Sequence, residues 1–222
     1  MKRTLALFDF DGTMIRGDSI AAFVRSLFFK GLVPLPRMAD ILWKTLKWKL
    51  GLIPAEEVKT LALSPLRALD SAAVEKACRG FALEALWPRV YPAALSKMAA
   101  HAERGDLVLV VSASPEVYLK YLMEKLPVDG ILATRVNKQF EVTFNAVREN
   151  KTAMIRDWLK EQDVQADFDA SSAYGDSAND LPMLRMVGHP HLVNPRKKAR
   201  RLGAGMAVLH WGRQAGKPAK AQ

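Results

Sequence analysis

Apolar positions along this chain fall into two kinds of run that alternate. Short continuous runs, Leu5-Ala6-Leu7-Phe8, Leu107-Val108-Leu109-Val110-Val111 and Gly130-Ile131-Leu132-Ala133-Thr134, have the length of strands covered on both faces. Between them, apolar residues return at helical spacing. Ile20 to Val24 continues into Leu27-Phe28-Phe29 and is closed by Gly31, Pro34 and Pro36, and further helices are predicted over about 38–50, from Pro54 onward, and over 71–86 behind the capping pair Asp70-Ser71. Helices over about 93–104, 116–125 and 151–159 follow, with a short hairpin over 136–144 and later strands at 171–175 and 191–193. Strands that alternate with helices predict an α/β fold built on a doubly wound parallel sheet. The helical stretch between the first strand and the next is far too long for a loop. The expected organisation is a discontinuous body, 1–16 and 90–210, interrupted by a helical insertion, 17–89, and followed by a flexible basic tail, 211–222.

The first strand runs straight into Asp9-Phe10-Asp11-Gly12-Thr13. Two acids and a glycine turn put negative charge at the carboxyl edge of the sheet, where open α/β folds keep their ligands. With the first strand expected over about 4–10, alternation points Asp9 and Asp11 to one side, and their repulsion has to be offset by a cation or by protonation. A hard cation such as Mg²⁺ answers that need; the plain alternative is a turn with two solvated acids. Other strand ends and helix starts also carry polar groups: Ser112 after Val111, Lys151 at a helix start, and Gly175-Asp176-Ser177-Ala178-Asn179-Asp180. A parallel sheet gathers those ends on one edge, and acids, a hydroxyl and an ammonium around one volume suit phosphoryl transfer.

These four segments, in this order, resemble the four motifs of the haloacid dehalogenase superfamily, and the position of the helical insertion resembles the subgroup containing phosphoserine phosphatase. The resemblance implies a role at each matching position. Asp9 would be the nucleophile that forms a phosphoaspartyl intermediate, and Asp11 the acid and base that serves the leaving oxygen and then the attacking water. Mg²⁺ would be held by Asp9, Asp176 and the backbone carbonyl of Asp11. Ser112 and Lys151 would bind the phosphoryl group, with backbone N–H groups near Phe10, Gly12 and Ala113 forming an anion nest. Asp180 would act on Lys151 or on a metal-bound water. The ordinary alternatives are a helix-capping role for Ser112, a surface position for Lys151 and a turn acid at Asp180.

The substrate question falls on the insertion, which the resemblance makes a cap. Asp18 lies where phosphoserine phosphatases carry a glutamate for the substrate amine. Ser112-Ala113-Ser114 departs from their Ser-Gly-Gly, however, and the arginine that grips a carboxylate has no clear counterpart: Ala62 falls nearest, Arg67 is a candidate, and Asn179 is a further candidate contact. The net charge of +10 is concentrated in two places. Leu181 to Gln222 has nine bases and no acid, and Ile20 to Pro54 has six bases against Asp40 alone. In the second segment Phe23, Phe28, Phe29, Trp43 and Trp48 are interleaved with the bases, either as an interfacial surface for an anionic membrane or as the insertion's own core with bases in water. The expected substrate is therefore a phosphorylated small molecule or a lipid phosphate. No recognition motif for nucleic acid accompanies the basic run Arg196 to Arg201. The single cysteine, Cys78, excludes an internal disulfide, and the amino-terminal residues show no signal or spanning segment, so a cytoplasmic protein is expected, peripheral at a membrane under the interfacial reading of 20–54 and not under the core reading.

Overall fold

The computed structural model describes residues 2–212. Seven strands form one sheet: β1 (Arg3–Phe8), β2 (Leu107–Pro115), β3 (Gly130–Val136), β4 (Val142–Phe144), β5 (Ala166–Gly175), β6 (His189–Val193) and β7 (Ala207–Leu209). Their order is β4-β3-β2-β1-β5-β6-β7. All neighbours pair in parallel except β3 and β4, the expected hairpin. The order reverses at β1, so the carboxyl ends of β1, β2 and β5 meet at the switch point where such sheets bind ligands.

Side-chain alternation in β1 divides the core. Leu5 and Leu7 face one layer with Leu109, Val111 and Leu132, covered by α7 (Glu149–Glu161) and α8 (Leu181–Leu184). Ala6 and Phe8 face the other layer, where α5 (Pro92–Glu103) and α6 (Glu116–Leu119) pack. Both faces are lined by buried apolar clusters, and each fully buried Leu or Phe contributes roughly 1.5–3 kcal/mol.

The insertion comprises α1 (Ser19–Phe29), α2 (Leu35–Lys49), α3 (Ala55–Leu63) and α4 (Ser71–Gly80). Its exit and return run side by side: Ile15 bridges Val90, Tyr91 N donates to Met14 O at 2.8 Å, and Arg89 donates to Arg16 O at 2.7 Å. Phe23 of α1 and Phe81 beyond α4 pack on Tyr118 of α6, with ring centroids 4.9 and 5.2 Å from it. The insertion is thus continuous with one layer of the core.

Several boundaries differ from expectation. Pro36 lies in the first turn of α2 rather than before it, a position where its missing N–H costs nothing. The helix expected over 71–86 ends at Gly80 and passes into a π-helical turn, and the one expected over 116–125 ends at Leu119 in a 3-10 turn. β7 was not expected, because three residues are too short to show a pattern. Trp211, assigned above to the tail, is buried against Phe8 and Tyr174, with its N–H donated to Asn194 Oδ1 at 3.1 Å. The remainder of the expected tail, 213–222, lies outside the described residues.

Candidate active site

β1 ends at Phe8, and Asp9 extends its ladder by one bond, N–H to Tyr174 O at 2.9 Å. The chain then coils tightly, with the N–H groups of Thr13, Met14 and Ile15 all directed at Phe10 O. Gly12 takes φ +86°, and a side chain there would collide with the Asp176 carboxylate. Gly175 is equally constrained: a Cβ would stand 2.6 Å from the Cβ of Asp180. The two glycines let β1 and β5 deliver their acids into one volume.

Three carboxylates occupy it. Oxygens of Asp9, Asp176 and Asp180 all lie within 4.8 Å of one another, and all three residues are buried. Lys151, 1% exposed at the start of α7, donates to Asp9 Oδ1 and Asp180 Oδ1, each at 2.6 Å. Thr13 Oγ1 donates to Asp9 Oδ2 at 2.9 Å, and the N–H and hydroxyl of Ser177 donate to Asp180 Oδ2 at 2.9 and 2.7 Å. Arg196 Nε donates to Asp176 Oδ2 at 2.8 Å from a largely exposed position. Burial, followed by the charge of Asp180, pushes the Asp9 carboxyl up to about 8 against the pull of Lys151. Burial likewise raises Asp176 to about 6, with Arg196 opposing. Burial works against the charge on Lys151, but Asp180 and Asp9 outweigh it and hold the ammonium firmly protonated. One buried lysine and one exposed arginine leave this pocket short of positive charge. Its hard oxygen donors, with Asp176 brought close by the bare Gly12, fit a divalent cation of the Mg²⁺ type.

Asp11 does not join this cluster. The strand has already ended, so alternation does not carry its side chain beside Asp9. Its carboxylate accepts from Ser19 N and Ser19 Oγ, both at 3.0 Å, and from Ser114 Oγ. Tyr118 Oη lies 3.0 Å from Ser19 Oγ and completes the network. Burial, reinforced by Asp18, raises the Asp11 carboxyl to about 6, while its hydrogen bonds oppose the shift. Two acids two residues apart thus occupy separate environments, one among like charges and one among hydroxyls.

The remaining predicted residues divide. Ser112 is buried within β2, three residues before the strand's end at Pro115, and its Oγ accepts from Ser114 N at 3.0 Å, which leaves its own proton to donate. The carbonyl of Ala113 accepts from Lys59 and Thr134. The N–H of Gly12 is already given to Ile15 O at 2.9 Å, so this glycine supplies space rather than a free donor, contrary to expectation. Asp18 caps α1, accepting from Ala21 N at 2.9 Å, and also lines a cavity inside the insertion. Arg67 is far from any such role: it is exposed and ties the insertion to the hairpin through Gln139 O at 2.7 Å and Glu141 at 3.3 Å. Asn179 is exposed beside Arg148, 3.3 Å away, rather than facing the acids.

Sequence reasoning missed Lys59, Ser19, Ser114, Tyr118 and Arg196. Lys59, on α3 one turn before Ala62, reaches from the insertion to Ala113 O and Asn145 Oδ1. Burial lowers its ammonium to about 8, with Glu56, Asp18 and Asp11 opposing. Its only signal was a lysine between the apolar residues Val58 and Leu61. Ser114 and Arg196 stood within motifs already singled out, but neither could be aimed without the fold.

An acid pocket answered by a buried lysine, at the switch point of a parallel sheet, has the donors and charges that suit phosphoryl transfer. The comparisons agree. The chain belongs to the haloacid dehalogenase-like hydrolase family, whose model matches residues 6–185, and it is a phosphatase-type enzyme of that family. It is 26% identical over 202 residues to a histidinol-phosphatase of Neisseria meningitidis, covering 87% of this chain and 91% of the relative. It is 30% identical over 223 residues to a probable phosphatase of Mycobacterium tuberculosis, covering 95% and 76%. A Bordetella pertussis protein of unknown function superposes with TM-score 0.83 at 25% identity, covering 94% of this chain and 99% of the other. A substrate-bound phosphoserine phosphatase shares the fold, with TM-score 0.63 at 21% identity over 94% and 93% of the two chains.

Proposed function

We propose that this chain is a Mg²⁺-dependent phosphomonoester hydrolase working through a phosphoaspartyl intermediate on Asp9. The observation that carries the reading is the division of the two acids: Asp9 held by Lys151 and Thr13 among other carboxylates, and Asp11 held apart by hydroxyls with a raised pKa. Asp9, Asp176 and the carbonyl of Asp11 would hold Mg²⁺, which when bound supplies positive charge to the transferring phosphoryl group. One carboxylate oxygen of Asp9 attacks phosphorus, and the bond to the leaving oxygen breaks as Asp11 gives that oxygen its proton. Water then attacks the phosphoaspartate and gives a proton to Asp11, so phosphate leaves and Asp9 is regenerated. Ser112 and Lys151 neutralise phosphoryl oxygens, and Asp180 acts by positioning Lys151. The insertion, 17–89, serves as the cap over this site.

The leaving group meets Asp18 and Lys59 on the insertion side. The relative of similar length named a histidinol-phosphatase makes histidinol phosphate, whose amine suits Asp18, the first soluble substrate to try. A second reading, a phosphate ester with an apolar chain, is favoured by one observation: Asp18 and Lys59 also line a cavity of about 340 Å³ whose other walls include Ile20, Val24, Ile41 and Ala62. A reducing cytoplasmic setting suits the buried, unpaired Cys78. Phosphate release with Mg²⁺ from histidinol phosphate, phosphoserine, p-nitrophenyl phosphate and micellar lysophosphatidate, with Asp9→Asn as the blank, tests both readings. Turnover restricted to soluble esters supports the first, turnover restricted to the lipid supports the second, and none on any phosphate ester overturns the hydrolase reading.

A further inference from the structure

α2 has an apolar face that is left exposed among the described residues. Its inner side, with Met38, Ile41, Thr45 and Trp48, lines the cavity shared with α1 and α3, Leu42 stands at the cavity's edge, and Ile41 is the helix's one buried residue. Yet Leu35, Ala39, Leu42, Trp43 and Leu46 stand at i, i+4, i+7, i+8 and i+11, spacings that place them on one other face. Leu35 is 73% exposed, Leu42 63%, Trp43 56% and Leu46 47%, and Leu50 continues the stripe at the helix end. Five of the eleven exposed large apolar residues among those described, Leu35, Leu42, Trp43, Leu46 and Leu50, stand on this one helix stripe, which is more than ordinary scatter.

The charges around the stripe identify what covers it. By helical projection Lys47 and Lys49 flank it on opposite sides, with Arg37 and Lys44 beyond. Asp40 is the only acid of the helix. Lys44 faces Glu57 at 3.9 Å, whereas Arg37, Lys47 and Lys49 are in no ion pair among the described residues. Lys47 lies over the Trp43 ring, 5.3 Å from its centroid, an arrangement in which the ring can enter an interface while the ammonium stays at its polar edge. A two-fold contact with a second copy would press one basic face against another and repel. No described helix is long and apolar enough to cross a membrane, and α2, roughly 22 Å long, suits lying in the plane of one.

We infer that the outer face of α2 is a docking surface for an anionic lipid bilayer, its apolar stripe seated among the acyl chains and its lysines on the headgroups. The inference does not depend on the reaction assigned above. Docking would bring the cavity behind α2, and with it Asp18 and Lys59, to the membrane surface.

The test is flotation of the full chain with phosphatidylcholine vesicles, pure or containing phosphatidylglycerol, at low and high salt. The expected result is binding to the anionic vesicles only, weakened by salt. The triple variant Leu35→Ser, Trp43→Ser, Leu46→Ser should bind them weaker by roughly a hundred-fold. It keeps every charge, none of its three positions lines the cavity, and its circular dichroism and p-nitrophenyl phosphate turnover should match the parent. Three results overturn the inference: no binding by the parent, equal binding by a folded triple variant, which would assign attraction to charges elsewhere, or a parent dimer that the variant dissolves without any vesicle binding. Should the triple variant not fold, Lys47→Glu with Lys49→Glu replaces it, and unchanged binding by that protein is equally fatal.

Discussion

The acid pocket at the sheet edge and the outer face of α2 break the usual partition of residues in opposite directions. The first buries three carboxylates and a lysine where a core would be apolar, and the second exposes leucines and a tryptophan where a surface would be polar. Each departure is tolerated by a different device. In the pocket, hydrogen bonds from Lys151, Thr13, Ser177 and Arg196 satisfy the carboxylate oxygens, yet charge remains unbalanced and lifts the Asp9 carboxyl to about 8. On α2 the stripe stays exposed among the described residues, with Lys47 and Lys49 at its flanks. The lesson is that the two departures differ in kind, and the partners proposed for them differ accordingly, a small cation for the first and an extended anionic surface for the second.

Substitutions should separate the two regions cleanly. The largest effect belongs to Asp9→Asn, which should lower steady-state turnover by on the order of 10⁴-fold while circular dichroism stays native. Asp11→Asn should cost roughly 10²- to 10⁴-fold on an alkyl phosphate and far less on p-nitrophenyl phosphate, whose leaving group needs no proton. A rate loss equal on both esters would remove Asp11 from the proton-transfer role. Lys151→Met leaves Asp9 and Asp180 without their shared cation and should destabilise the metal-free protein by about 3–5 kcal/mol in urea unfolding. Lys44→Ala, beside the half-exposed Glu57, should change stability by about 0–1 kcal/mol.

Metal and pH sharpen the same contrast at smaller amplitude. Asp9 and Asp176 have folded-state pKa values above those of unfolded carboxyls. Stability is therefore fully present below the unfolded pKa and lost as pH rises through about 6 and about 8. The metal-free protein should melt lower at pH 8 than at pH 5, and Mg²⁺ at a hundred times its Kd should restore about 2.7 kcal/mol at pH 8. Asp176→Asn should abolish that gain. The same additions should leave vesicle binding by α2 variants in the same rank order.

Much of this was legible in the sequence because the signals are local. A five-residue apolar run such as Leu107 to Val111 has few alternatives to a central strand, and acids directly after such runs mark the ligand edge. Asp9, Asp176, Asp180, Ser112 and Lys151 were singled out at strand ends, helix starts and the segment after 175, and the fold brings Asp9, Asp176, Asp180 and Lys151 together. What was not legible depends on direction or on distance in sequence. Asp11 turns to Ser19 and Ser114 because β1 stops one residue before Asp9, a boundary that apolar pattern alone does not fix. Lys59 meets Ala113 across 54 positions of sequence and leaves only a polar residue on a helix. The aromatics of 20–54 were visible as a group, but their division was not: Phe23 and Phe28 pack inward while Phe29, Trp43 and Trp48 are exposed. Arg67 misled because a cation on the insertion can reach the hairpin as easily as the site.

The central claim is that the phosphoryl group passes through Asp9. Intact-mass analysis of enzyme quenched in acid during turnover of p-nitrophenyl phosphate with Mg²⁺ tests it most directly. The account predicts an adduct of one phosphoryl group per chain, carried by the peptide containing Asp9 and absent from Asp9→Asn. Steady turnover with no adduct, together with hydrolysis that survives in Asp9→Asn, would contradict it.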